Sequence, residues 1–128
     1  ICYEIAYGDT LRRQAATSGV LLTVSNDTWF GGSIGPHQHM QIAQMRALEN
    51  GRWLLRATNS GLTGVVNERG EITAQLPQFE PAVLRAEFAV MVGTTPYAYF
   101  GDWPVLGVVL ILLLLVLGGL RRALSETN

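Results

Sequence analysis

The chain has 128 residues, 48% of them hydrophobic and 15% charged, which is the size of one ordinary domain. Its formal net charge of −1 provides no basic field for nucleic acid, and all nine basic residues are arginines, so no lysine amine is available for chemistry. The single cysteine, Cys2, excludes an intramolecular disulfide and routes any thiol chemistry through the second position.

In chain order, Ile1-Cys2-Tyr3-Glu4 reads as the end of a strand, and a start in mid-strand without Met reads as a piece of a longer protein. A cysteine between a strand and a helix sits at a sharp turn from which its sulfur projects, with the following amide, that of Tyr3, able to help hold an oxyanion. The opposing reading is an inert cysteine packed as a small hydrophobe. A nucleophilic thiol needs a base and an environment that favours thiolate. Glu4, Asp9, Asp27, His37 and His39 are the candidates, none sufficient alone, and Glu4 suits orienting its neighbours as well as moving protons.

Asp9 to Ala16 fits a short helix, with Asp9 or Thr10 as N-cap and Gly19 as a stop signal. Val20 to Ser25 is a continuous β-prone run, the pattern of a strand buried on both faces. Asn26 to Pro36 has turn composition with two large aromatics, Trp29 and Phe30, and the Gly31-Gly32 pair gives this loop freedom to act as a lid. Trp29 in so Gly-rich a loop suits pocket lining or membrane contact, and Asp27 suits a turn residue satisfying nearby amides.

Residues 37 to 50 have helical spacing, with Met40, Ala43, Ala47 and Leu48 on one side and Gly51 as the stop. His37 and His39 are two apart, whereas helix neighbours are three or four apart, so capping and surface roles are expected rather than a metal site. Arg46 and Glu49 have the spacing of a helix ion pair. Strands are expected over Trp53–Thr58 and Leu62–Asn67, followed by a hairpin turn at Asn67-Glu68-Arg69-Gly70 into Glu71–Gln75. Val83 to Val90 partly alternates, as a half-exposed strand would.

From Trp103 to Leu120 no residue is charged. At about 1.5 Å per residue this run reaches roughly 27 Å, near the ~30 Å hydrocarbon core of a bilayer. Tyr97, Tyr99, Phe100 and Trp103 precede it as an interfacial cluster, and Arg121-Arg122 follow it, which places the C-terminus in the cytoplasm and residues 1–100 in the opposite compartment, the periplasm for a bacterial envelope protein. A signal peptide is excluded by the run's place near the end of the chain.

Cys2-Tyr3-Glu4, Asp9, Ser25-Asn26-Asp27-Thr28-Trp29-Phe30, Arg46-Ala47-Leu48-Glu49-Asn50 and Asn59-Ser60-Gly61 together resemble the nucleophile half of the nitrilase, or carbon-nitrogen hydrolase, superfamily. The longer string from Ser25-Asn26-Asp27-Thr28-Trp29-Phe30-Gly31 through Ser33-Ile34-Gly35-Pro36, with Thr94-Thr95-Pro96-Tyr97 and Gly101-Asp102-Trp103-Pro104 ahead of the apolar run, is similar to the apolipoprotein N-acyltransferase branch, since soluble nitrilases lack the final helix. The resemblance implies an α/β fold: the C-terminal part of a nitrilase-like α-β-β-α sandwich over residues 1–100, one transmembrane helix with its flanks over 101–122, and a cytoplasmic tail over 123–128.

It further implies an inner-membrane enzyme that moves an acyl chain from a phospholipid acyl donor, through a thioester on Cys2, to a diacylglyceryl apolipoprotein acceptor at the bilayer, with no cofactor and no metal. Cys2 matches the nucleophile and Glu4 a supporting acidic position. Tyr3 and Trp29 match substrate-binding pocket positions, and the loop from Phe30 to Pro36, with Phe30 and Gly31 as further substrate-binding residues, is implied to lie near the acyl-chain entrance. The family's base Glu and its Lys lie N-terminal to the nucleophile, so this chain alone is expected to be inactive. The competing expectations are a membrane-anchored nitrilase-type amidase and a non-catalytic anchored periplasmic module.

Overall fold

The computed structural model describes residues 3–126, so the strand end expected at Ile1-Cys2 lies outside the described residues. Their order is a 3-10 turn at Glu4–Ala6, α1 (Gly8–Ala15), β1 (Val20–Ser25), a 3-10 turn at Thr28–Phe30, α2 (Gly35–Asn50), β2 (Trp53–Thr58), β3 (Gly64–Val66), β4 (Ile72–Gln75), α3 (Pro96–Phe100) and α4 (Trp103–Glu126). The strands form one sheet in the order β1-β2-β3-β4. β1 pairs parallel with β2, from Val20 opposite Trp53 to Ser25 opposite Thr58. Parallel neighbours need a long crossover, which α2 supplies. The later pairs are antiparallel, with an irregularity in register at Val65 and Val66.

The core lies between this sheet and the helices. Leu21, Leu54 and Val66 share one face of the sheet and pack with Met40, Ala43 and Ala47 of α2 and with Ile5, Ala15 and Leu62. The spacing of three and four between the buried α2 residues is that of one helix face. Helix α2 starts at Gly35, two residues before its apolar pattern, because Pro36 sits in the first turn, where its missing N–H would have no helical partner in any case. It ends as expected at Gly51, which adopts a left-handed φ of 58°. There the Arg52 amide donates to the Ala47 carbonyl at 3.0 Å, the pattern that satisfies a helix end. Leu48 faces away from the core, exposed beside Gly70.

Helix α1 begins at Gly8, ahead of the expected caps, and Asp9 uses its carboxylate inside the first turn to accept from Arg12 at 2.8 Å and Arg13 at 2.6 Å. Gly8 is the close-contact point: a Cβ there would collide with the Arg46 guanidinium and the Tyr97 hydroxyl. The turn into β4 is as expected. Gly70 has a φ of 79° and its amide donates to Asn67 at 3.0 Å, while Gln44 of α2 donates to the Gly70 carbonyl at 2.7 Å.

Two strand expectations are corrected. β1 is not buried on both faces: Leu22 is 72% exposed, because the helices cover only one face of the sheet. Residues 83–90 form no strand. They cross the uncovered face, where Val83 and Phe88 join Leu22, Leu55 and Val65 around a cavity of about 430 Å³. The Met91 amide donates to the Gly19 carbonyl at 2.8 Å just beyond them. Their alternation reflects a chain lying on an apolar surface rather than a hydrogen-bonded ladder.

The route from this body to α4 is tied down by polar groups. Buried Arg52 donates to the carbonyls of Ser18 and Gly93, each at 2.6 Å. Thr95 donates to the Glu49 carbonyl at 2.5 Å and accepts from the Ala98 amide at 3.0 Å, capping α3. Helix α4 follows. Its stretch Trp103–Arg122 has a mean hydropathy of 2.7, no part of it is buried, and it is long and apolar enough to cross a membrane.

Leu54 is 1% exposed in a central strand. Leu54→Ala is expected to cost about 2–5 kcal/mol through lost burial and a residual cavity, read as a lowered unfolding temperature of the purified protein.

Candidate functional site

The nucleophile expected at Cys2 lies outside the described residues, so the site is built from its neighbours. Tyr3 and Glu4 follow it directly, both exposed, with Glu4 opening the 3-10 turn. The Tyr3 ring stands 6.2 Å from Tyr7, edge to face, and 6.1 Å from the His39 ring. On the other side of His39, Phe30 approaches to 6.4 Å, again edge to face. His39 therefore stands between the segment that opens at Tyr3 and the Trp29-Phe30 loop.

Beneath it is a buried charge cluster that spacing did not disclose. Asp27 is 1% exposed. Its Oδ1 accepts from the Ser25 hydroxyl at 2.5 Å and lies 3.1 Å from His39 Nδ1, while its Oδ2 accepts from Arg56 Nη2 at 2.7 Å. Ser25 comes from the end of β1, Arg56 from β2 and His39 from α2, so three elements converge on one carboxylate. Burial alone would raise the Asp27 pKa, but the Ser25 hydroxyl, the Arg56 charge and His39 outweigh it and hold Asp27 below its ordinary value.

Two expectations fail here for the same reason. Asp27 is a buried anion rather than a turn residue serving amides, and His39 is not a surface or capping residue, because a buried carboxylate must collect donors. His37 is exposed, as expected. The Arg56 contact could not be read from sequence, since it spans 29 residues; the only hint was a charged residue inside an apolar strand.

Above the cluster, the ends of the two parallel strands are laced together. Thr28 Oγ1 donates to Asn26 Oδ1 at 2.5 Å and lies 3.1 Å from Ser60 Oγ, while Asn59 Nδ2 donates to Thr28 Oγ1 at 3.3 Å. Gly61 closes against Asp27, whose carboxylate occupies the space a Cβ would need. This is the carboxyl end of β1 and β2, the usual ligand-facing edge of a parallel pair.

Among the expected substrate-binding residues, Trp29 is 85% exposed, and Phe30 folds back over Gly35, whose missing side chain makes room for the ring. Gly31 has a φ of 51° and open space around it, so the loop's reversal depends on glycine. Asp9 lies on α1 with its arginines, outside this cluster. Among the described residues no group of three or more His, Cys, Asp or Glu is placed to hold a metal ion.

A second polar cluster joins α2 to α3. Arg46 Nη2 donates to Glu49 at 3.1 Å, the expected pair. Burial raises the Glu49 pKa; Arg46 opposes that and Asp102 adds to it. Burial likewise raises Tyr97, with Glu49 and Asp102 adding and Arg46 opposing.

Residues 1–97 match the model of the carbon-nitrogen hydrolase family. The chain is 55% identical over 126 residues to an apolipoprotein N-acyltransferase of Pseudomonas paraeruginosa, covering 98% of this chain and 25% of the relative. It is 56% identical over 119 residues to that of Pseudomonas aeruginosa, covering 93% and 23%, and 53% identical over 113 residues to that of Azotobacter vinelandii, covering 88% and 22%. The chain thus spans about a quarter of the length of the curated relatives it matches.

Asp27 has a lowered pKa in the fold, so its contribution to stability is complete above the ordinary aspartate value of 3.8 and is lost as pH falls through the lower folded value. Asp27→Asn is expected to cost about 3–5 kcal/mol at neutral pH by leaving Arg56 without its buried carboxylate. The gap in unfolding temperature between variant and wild type is expected to narrow as pH is taken below about 4.

Proposed function

The chain belongs to the carbon-nitrogen hydrolase family, and from that premise we propose that it is the nucleophile-bearing part of an apolipoprotein N-acyltransferase. The observation that carries this reading is the reach of the likeness: it runs over 126 residues, past the end of the family match at 97 and through the apolar helix that a soluble amidase would not need.

The Cys2 thiolate attacks the ester carbonyl of a phospholipid acyl donor. The acyl–oxygen bond breaks, a lysophospholipid leaves with a proton, and the acyl group remains as a thioester. The α-amine of a diacylglyceryl-cysteine at the apolipoprotein N-terminus then attacks that thioester, giving an amide and a free thiol. The Tyr3 amide serves the oxyanion, Glu4 supports the nucleophile, and Tyr3, Trp29, Phe30 and Gly31 meet the acyl chain. The exposure of Trp29 at a glycine-dependent reversal suits contact with lipid.

In this arrangement residues 1–100 form part of a periplasmic catalytic domain, 101–122 span the inner membrane and 123–128 are cytoplasmic. The base Glu and the Lys that the resemblance puts N-terminal to Cys2 belong to the remainder of a longer protein, and this chain has no lysine of its own.

The complete protein, reconstituted in phosphatidylethanolamine vesicles with a diacylglyceryl peptide, is expected to N-acylate the peptide and to carry a hydroxylamine-labile acyl group on Cys2 by mass spectrometry. Cys2→Ala is expected to lower the rate at least about a thousandfold, as loss of a nucleophile does. Hydrolysis of small amides without lipid dependence would move the assignment to an amidase, and full activity of Cys2→Ala would overturn it. The isolated 128-residue chain is expected to show no transfer in the same assay.

A further inference from the structure

His39 has no place in the chemistry above, yet it is one of the most constrained side chains in the structure. Its side chain is 4% exposed. Nδ1 faces the Asp27 carboxylate at 3.1 Å, so in the neutral ring Nδ1 carries the hydrogen and Nε2 is left as an acceptor. Nε2 is buried and has no hydrogen-bond partner among the described residues.

The ring's neighbours are the two segments on which the proposed reaction depends. Tyr3, adjacent in sequence to Cys2, lies 6.1 Å away, and Phe30 of the exposed loop lies 6.4 Å away. Asp27 cannot easily shift to release the ring, since Arg56 holds its other oxygen and Gly61 leaves no slack beside it.

We propose that His39 is a positioning residue for the Cys2 nucleophile: tethered by Asp27 and set between Tyr3 and Phe30, it fixes the nucleophile-bearing segment against the Trp29-Phe30 loop. This rests on the acyltransferase reading. It differs from a core role in its consequence, because loss of the tether misplaces the nucleophile without removing the substrate contacts, so the chemical step slows while substrate binding is retained.

The test uses the complete protein in phospholipid vesicles. His39→Phe keeps an aromatic ring and removes both nitrogens; Leu54→Val, a core variant away from the site, controls for general destabilisation. For His39→Phe the expected result is a kcat for acylation at least tenfold lower with KM within twofold, and an altered rate of Cys2 alkylation by iodoacetamide. Leu54→Val is expected to leave both within twofold. A His39→Phe kcat within twofold of wild type per folded molecule, or an equal loss in Leu54→Val, overturns the proposal. A Cys2→Ala protein assayed alongside separates the two claims: if it retains transfer, the acyltransferase reading itself fails, whereas its inactivity beside an unimpaired His39→Phe defeats only the role given to His39.

Discussion

The buried carboxylate of Asp27 is the constraint on which the site depends. An ionised group taken out of water is costly unless charge and hydrogen bonds replace what water supplied. Here Ser25, Arg56 and His39 do so, one from each of β1, β2 and α2. The requirement works in both directions, since Asp27 supplies a buried counter-charge to Arg56 inside an apolar strand. The same demand explains Gly61, which must lack a side chain for the loop after β2 to pass over the carboxylate. A pair of this kind adds little net stability compared with apolar packing, but it admits few alternative arrangements, and that suits a place where loops must be held in one relation.

From this cluster two polar connections run outward. The Asn26, Thr28, Asn59 and Ser60 network binds together the loops at the carboxyl ends of the parallel strands. Towards the C-terminal end of α2, Arg46, Glu49 and Tyr97 join the helix to α3, while Arg52 and Thr95 hold the intervening chain through backbone carbonyls. The apolar helix α4 is thus attached to the α/β body by hydrogen bonds and close glycine contacts rather than by a second hydrophobic core. Gly8 and Gly51 mark where that attachment is tightest, since a Cβ at either would press on Arg46 and Tyr97 or on Thr95.

Local rules were a good guide wherever a short segment decided its own conformation. The stop of α2 at Gly51, the turn at Asn67–Gly70 and the Arg46–Glu49 pair all follow from neighbours within a few residues. The same rules misread residues 83–90, because alternation describes any chain lying on an apolar surface and only a partner strand makes it a ladder. They also misread Asp27 and His39. Turn composition correctly marked the segment as a loop, but whether a loop carboxylate faces solvent or the interior depends on what lies across from it.

By itself the sequence determined the α/β order, the lone thiol and the long apolar run, because periodicity, composition and the absence of charge are properties of the chain. It also carried the motifs that resemble the carbon-nitrogen hydrolases. Only the tertiary structure decided that Ser25, Asp27, His39 and Arg56 are one unit, and that His39 stands between Tyr3 and Phe30. The physical reason is that the energy of a buried charge is set by donors brought from distant positions, and no local pattern records which distant arginine will arrive.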